Sequence, residues 1–247
     1  MKRLAVIAAF AVHALATSVL AAPLAPGGVV NPVGTTAADP VHGGVQFVIN
    51  DSLLGFAIDP MPVTPFTNVG GNLQNRVSER PSGFLTFAPR IRDTYNIHGG
   101  VFAIVGMQLT GFAGFSTDLD YRTDGPGDKG PTSASRSADG DTITLRYSDP
   151  LRVDSLLPGV QEDSLFPSIA TDAEAFALTG TATIFGFVLD EDDFDPNLGV
   201  NQPGTLHSVT IDGVAAPIVA PVPLPASALL LLAGLGGLIV ARRRPGA

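Results

Sequence analysis

The chain of 247 residues has a formal net charge of −9, is 45% hydrophobic, and contains neither cysteine nor tryptophan. Without cysteine there can be no disulfides, thiol nucleophiles, Cys-ligated zinc or iron–sulfur clusters, so stability must come from the core. The acidic balance also disfavours nucleic acid as a partner, because no basic patch is available to meet its phosphates.

The chain opens on an export pattern. Lys2 and Arg3 form a basic region, Leu4 to Leu20 an apolar one, and Val19-Leu20-Ala21 a small-residue cleavage site. Residues 1–21 are therefore expected to be a signal peptide, helical during export, handled by the Sec machinery and cut by signal peptidase after Ala21. An uncleaved N-terminal anchor is the alternative. The mature piece, to about Pro221, keeps nine basic residues against 23 acidic ones, a net charge of −14. Such a charge keeps a domain soluble and attracts divalent cations or basic surfaces.

Residues 22–40 are rich in Pro, Gly, Ala and Thr without periodicity, and are expected to be a linker or a loosely tied arm. One folded domain is expected over 41–215. Val45–Ile49 and Gly83–Phe87 read as strands, and Val101–Thr110 as a long, largely buried one. Between the first two, Asp59-Pro60-Met61-Pro62 and Pro65 forbid regular structure. After the turn signal Asp139-Gly140, the run Thr142–Tyr147 alternates. Ile143, Leu145 and Tyr147 should face the core, and Thr142, Thr144 and Arg146 should face water. Thr171-Asp172-Ala173-Glu174 fits a helix capping box, but Gly180 and the β-rich residues after it argue for a strand. Thr181–Leu189 and Leu206–Ile211 supply the last strands, ahead of Asp212-Gly213. Seven or more short strands between Gly, Pro and Asp turns predict a mainly β fold, an antiparallel β-sandwich or a jelly roll.

Candidate chemistry is sparse. His42, His98 and His207 are far apart and read as loop or surface residues. No nucleophile elbow, phosphate loop or dinucleotide fingerprint is present. Ser and Asp abound, which leaves a Ser-His-Asp set open without pointing to one. Two acidic stretches stand out. Asp190-Glu191-Asp192-Asp193-Phe194-Asp195-Pro196-Asn197 packs hard oxygens of the kind Ca²⁺ takes, making Asp190, Asp192, Asp193 and Asp195 candidate Ca²⁺ ligands, with a solvated turn as the alternative. Asp118, Asp120, Asp124 and Asp128 form a looser second set.

The tail is the most specific stretch. Pro221, Pro223 and Pro225 hold residues 216–225 extended. Ala226–Ala241 is then uncharged over sixteen residues, roughly 24 Å as a helix, and is expected to span the membrane with help from snorkelling and local thinning. Arg242, Arg243 and Arg244 act as a stop-transfer signal in a basic cytoplasmic tail, 242–247, which places the domain on the far side. This arrangement resembles the PEP-CTERM sorting domain of Gram-negative bacteria, in the variant whose signature reads VPLPA. Val222, Pro223, Leu224, Pro225 and Ala226 match it letter for letter, and the commoner form would carry Glu at 224. The resemblance covers only the last tenth of the chain. It implies recognition by an exosortase, an integral membrane cysteine protease, then release to the cell surface or an association with exopolysaccharide. A sortase signal would need a Thr and a Gly that Leu224–Ala228 lacks.

Three function classes follow. The first is a structural or adhesive envelope protein that acts by contact, tethered at the inner membrane with its domain in the periplasm until it is processed. The second is a Ca²⁺-assisted carbohydrate-binding module, weakened by the lack of Trp for stacking on sugars. The third is an envelope hydrolase, although no catalytic motif is found.

Overall fold

The computed structural model of the chain describes residues 22–45, 47–59, 68–97, 100–155, 160–189, 194–195, 200–201 and 205–220. The expected signal peptide with Ala21, residues 190–193 of the acidic loop, His98, and the tail from 221 onward, with the expected sorting motif, apolar run and arginines, lie outside them. Among the described residues no helix is long and apolar enough to cross a membrane.

The fold is mainly β, as the turn-punctuated pattern predicts, and is built from two six-stranded antiparallel sheets. Its strands are β1 (Ala22–Pro23), β2 (Val29–Val30), β3 (Phe47–Ile58), β4 (Val69–Glu79), β5 (Leu85–Asn96), β6 (Val101–Leu109), β7 (Thr117–Arg122), β8 (Ser133–Arg136), β9 (Ile143–Asp154), β10 (Phe166–Thr171), β11 (Ala175–Leu189), β12 (Phe194–Asp195), β13 (Val200–Asn201) and β14 (His207–Ile218). The first sheet runs β1-β7-β10-β5-β4-β3 and the second β14-β11-β6-β9-β8-β2, with β12 and β13 forming a separate short hairpin. Leu73, Val77, Ile91, Leu119 and Ile169 from the first sheet share one buried cluster with Phe102, Ile104, Leu145, Val153 and Ile184 from the second. Phe87 meets Phe112 edge-on within that cluster at 5.6 Å. The two sheets thus pack as a sandwich around a single core.

Several local expectations are met. Ile143, Leu145 and Tyr147 are buried and Arg146 is exposed. Gly140, at φ 77°, makes the turn before β9 with a backbone that only glycine adopts freely. Thr144 differs: at 9% exposure it is covered, because it lies inside the sheet between β6 and β8, opposite Gln108 and Ser135. The capping-box sequence forms no helix; β10 ends at Thr171 and β11 starts at Ala175. Asp212-Gly213 does not end the last strand either. Gly180 pairs with Val214 and Thr181 with Asp212, so Gly213, at φ 77°, is the extra residue of a bulge and β14 continues to Ile218.

The largest correction concerns residues 22–40, which are not a linker. They zip one open side of the sandwich. Ala22 and Pro23 pair with Leu119 and Asp118 on the first sheet, and Val29 and Val30 pair with Ser135 and Ala134 on the second. Thr35 then returns to bridge Arg122. Leu24, between the first two contacts, is 0% exposed in the common core. The folded unit therefore reaches upstream of 41 to residue 22 and downstream of 215 to Ile218. Its keystone is Arg136, a buried guanidinium that donates to the carbonyls of Gly140 (2.8 Å), Leu24 (3.2 Å), Phe112 (2.8 Å) and Phe115 (2.8 Å) and to Thr117 Oγ1 (3.0 Å). One side chain joins the N-terminal segment, β7 and two turns.

Candidate functional site

After Thr35 the N-terminal segment folds over the outer face of the first sheet. Asp39 makes this possible. Its Oδ1 accepts from the backbone N–H of Val41 (2.8 Å) and His42 (2.7 Å), and its carbonyl accepts from Gly43 N–H (2.9 Å), giving one compact turn. The turn aims His42 at the sheet. There the imidazole Nδ1 lies 2.9 Å from Ser168 Oγ of β10, and Nε2 lies 3.4 Å from Asp118 Oδ1 of β7. The Ser168 contact is a hydrogen bond, whereas the approach to Asp118 is an electrostatic contact that completes no hydrogen bond. The ring is 0% exposed.

This overturns the surface reading of His42, which bridges two strands beneath the arm. Of the other two histidines, His207 is half-buried at the head of β14 and His98 lies outside the described residues. The turn sequence Asp39-Pro40-Val41-His42-Gly43 carried a local signal in its Asx-type start. Nothing in the sequence links it to Ser168, 126 positions away.

The second acidic set is spent on the same arm and its neighbours. Asp120 Oδ1 accepts from Gly34 N–H (2.8 Å) and Tyr121 N–H (2.9 Å). Asp124 accepts from Ala37 N–H (2.7 Å) and from Arg122 Nε (2.7 Å), and that arginine holds its carboxyl below the usual carboxylate range. Asp128 Oδ2 accepts from Asp163 N–H (2.8 Å). These carboxylates cap backbone groups, and among the described residues no three His, Asp or Glu side chains gather in a way that could hold a metal. Of the Ca²⁺ candidates, Asp195 falls in β12, paired with Val200, and Asp190, Asp192 and Asp193 lie outside the described residues.

Between the arm, the loop at Gly125-Pro126 and the sheet lies a cavity of about 120 Å³. Its floor is a polar lattice set by register: Ser78 on β4 is directly opposite Thr86 on β5, and Ser168 on β10 lies beside them. Arg76 and Arg122 line it too, as does Phe166, whose ring carries the Arg76 guanidinium at 4.4 Å. Each arginine is steadied by a carboxylate that is not part of the lining. Arg76 holds Asp51 through Nε (3.0 Å) and Nη2 (2.8 Å), and Arg122 holds Asp124. Arg76 also keeps the Asp51 carboxyl below its ordinary range, helped by Gln74. On the far side of the His42–Asp118 contact an open cleft of about 320 Å³ is lined by Arg80, Phe84, Asp118 and Asp172. Nothing in the sequence singles out Arg76, Thr86 or Arg122, because each is an ordinary polar residue until the fold brings the three together.

No family model, no curated protein and no solved structure matches the chain.

Proposed function

We propose that this is an exported bacterial envelope protein, tethered through a PEP-CTERM-like tail and processed by an exosortase, whose β-sandwich acts by contact in a structural, adhesive or exopolysaccharide-associated role. One observation carries the reading: the succession of Val222-Pro223-Leu224-Pro225-Ala226, an uncharged sixteen-residue run and Arg242–Arg244. The fold is compatible with both cuts. Processing after Ala21 would leave β1 intact from its first residue, and processing near the motif falls beyond β14, which ends at Ile218. Val219, just past the end of β14, is 79% exposed.

Prolines in the motif matter because they keep the backbone extended where a membrane-embedded protease can reach it. Replacing Pro223 and Pro225 by Ala should leave export intact but accumulate a full-length, membrane-bound form. Mass spectrometry of the C-terminus in a host with a compatible exosortase decides it. Loss of the tail from the wild type and retention in the double variant is the expected result, and a wild type that keeps Arg244 would mean a permanent anchor. A reporter fused after Val219 should be active outside the cytoplasm, and one fused after Arg244 inside.

A second reading, an envelope hydrolase, has the Ser168–His42–Asp118 line in its favour. Against it stands the complete burial of the ring, since a general base must also hand its proton to a leaving group. Labelling of Ser168 by a fluorophosphonate probe in the native protein would establish the hydrolase. Absence of labelling, the expected result, leaves His42 as the pin that holds the arm.

A further inference from the structure

The two sheets protect their edges unequally. On one side the first sheet ends in β1, two residues that include Pro23, and the second ends in β2, also two residues. On the other side the second sheet ends in β14, whose outward positions Ser208, Thr210 and Asp212 are polar and whose ladder is broken by the bulge at Gly213. Short length, charge, proline and bulges are the usual guards of an edge against stray pairing. β3 has only a bulge at Ile49, near its start. It is 12 residues long, roughly 40 Å, and among the described residues it pairs with β4 alone. From Asn50 to Ile58 its register is unbroken, and its single charge, Asp51, is held by Arg76 and Gln74. Val45, Phe47, Val48, Ile49 and Leu53 are 42–58% exposed, more large apolar side chains than any other nine-residue stretch of the described residues presents. Concentrated exposure of this kind marks a contact surface.

The edge also fits itself. Leu53 and Gly55 are neighbours on the outer face, a projecting side chain beside a gap: Leu53 is 51% exposed, and a Cβ added at Gly55 would meet only Asn72 Oδ1, at 3.9 Å. An antiparallel copy of β3 centred on Leu54 sets Leu53 of each chain directly opposite Gly55 of the other, so each projection fills the other's gap. The same register aligns Asp51 with Ala57 and keeps the two Asp51 carboxylates about 20 Å apart along the strands, so no like charges meet. From this self-complementary edge we propose that two copies of the chain pair through β3, joining their first sheets into one continuous antiparallel sheet. The contact is isologous and closes at two. The opposite edge, β1, is two residues with a proline and cannot pass the pairing on.

Sedimentation velocity of the full chain in detergent tests this, with a concentration-dependent equilibrium between monomer and dimer as the expected result. Leu53→Lys would set two ammonium groups on diagonal neighbours across the pair, so it should weaken the dimer about tenfold or more. Its melting temperature at low concentration should stay that of the wild type, because Leu53 already stands half in water. Ser208→Lys, on the guarded edge β14, should leave the dimer unchanged. The chain has no cysteine, so introduced ones report the register directly. A mixture of Leu53→Cys and Gly55→Cys chains should oxidise to a disulfide-linked dimer about tenfold faster than either variant alone, since directly opposite residues lie within disulfide reach. A chain that stays monomeric at about 100 μM would overturn the proposal and leave the edge to a strand of another protein. So would an open ladder of oligomers, or equal cross-linking of the mixture and the single variants. A dimer that Leu53→Lys does not weaken would place the association in the apolar tail and overturn it as well.

Discussion

The outer faces of the two sheets begin from the same chemistry and end differently. Both are the polar half of alternating strands. On the second sheet that half meets water: Arg146 is exposed over the Phe185 ring at 5.5 Å, and Thr183 and Thr210 share a surface hydrogen bond of 2.9 Å. On the first sheet Ser78, Thr86, Arg90, Asp120 and Ser168 are all buried. The N-terminal arm covers one end. At the other, Arg90 donates to Ser164 carbonyl (2.9 Å) and Asp163 (3.0 Å). Burial of polar groups requires partners. The first sheet therefore fixes its surroundings in detail, whereas Arg146, Thr183 and Thr210 of the second need nothing beyond solvent and one another.

Substitutions should reveal that difference, beginning with the residue that fastens the arm's root. Arg136→Met removes five hydrogen bonds of one buried side chain at once, and should cost about 4 kcal/mol or more in chemical denaturation. A loss below about 1 kcal/mol would mean that the N-terminal segment is not part of the folded unit. His42→Ala removes the pin between β7 and β10 and should cost about 2 kcal/mol. Its more specific signature is new protease sensitivity within residues 33–45, with cleavage elsewhere unchanged. Equal sensitivity across the second sheet would contradict a local latch.

Acid should act more gently. Arg76 holds the folded Asp51 carboxyl below its unfolded value of about 3.9, so the pair stabilises the fold above that pH and the contribution disappears as pH falls through the lower folded value. Asp51 is half-exposed, so the effect should be well under 1 kcal/mol. Asp51→Asn should flatten that part of the acid limb without moving stability at pH 2. The smallest change belongs to the solvated sheet, where Thr183→Val should stay within about 0.5 kcal/mol of the wild type.

Alternation made the core half of the sandwich legible. Ile143, Leu145 and Tyr147 point inward as their spacing requires, and Val101–Leu109 is a strand because its apolar run is continuous. The strands that escaped notice break the alternation for physical reasons. In β4 an inward position is occupied by Asn75, whose amide bridges the sheets by donating to Gly213 carbonyl (3.3 Å) and accepting from Ala215 N–H (3.0 Å). In β7 the outward positions 118, 120 and 122 are the charged residues that hold the arm, so the segment reads as an acidic loop. The site was less legible than the fold. Composition cannot say whether an outward Thr or Ser faces water or a neighbouring segment, and the arm that decides this has the Pro- and Gly-rich make-up of a linker.

Residues 33–43 are docked on the first sheet, and amide hydrogen exchange tests this most directly. The N–H groups of Gly34, Ala37 and His42 donate to the carboxylates of Asp120, Asp124 and Asp39, so all three should exchange on the order of 100-fold slower than in an unstructured chain. His42→Ala should speed Gly34 and Ala37 while leaving β6 and β9 protected. Exchange of these three amides at unstructured rates in the wild type would mean that the arm is not docked, and the covered face and its cavity would fall with it.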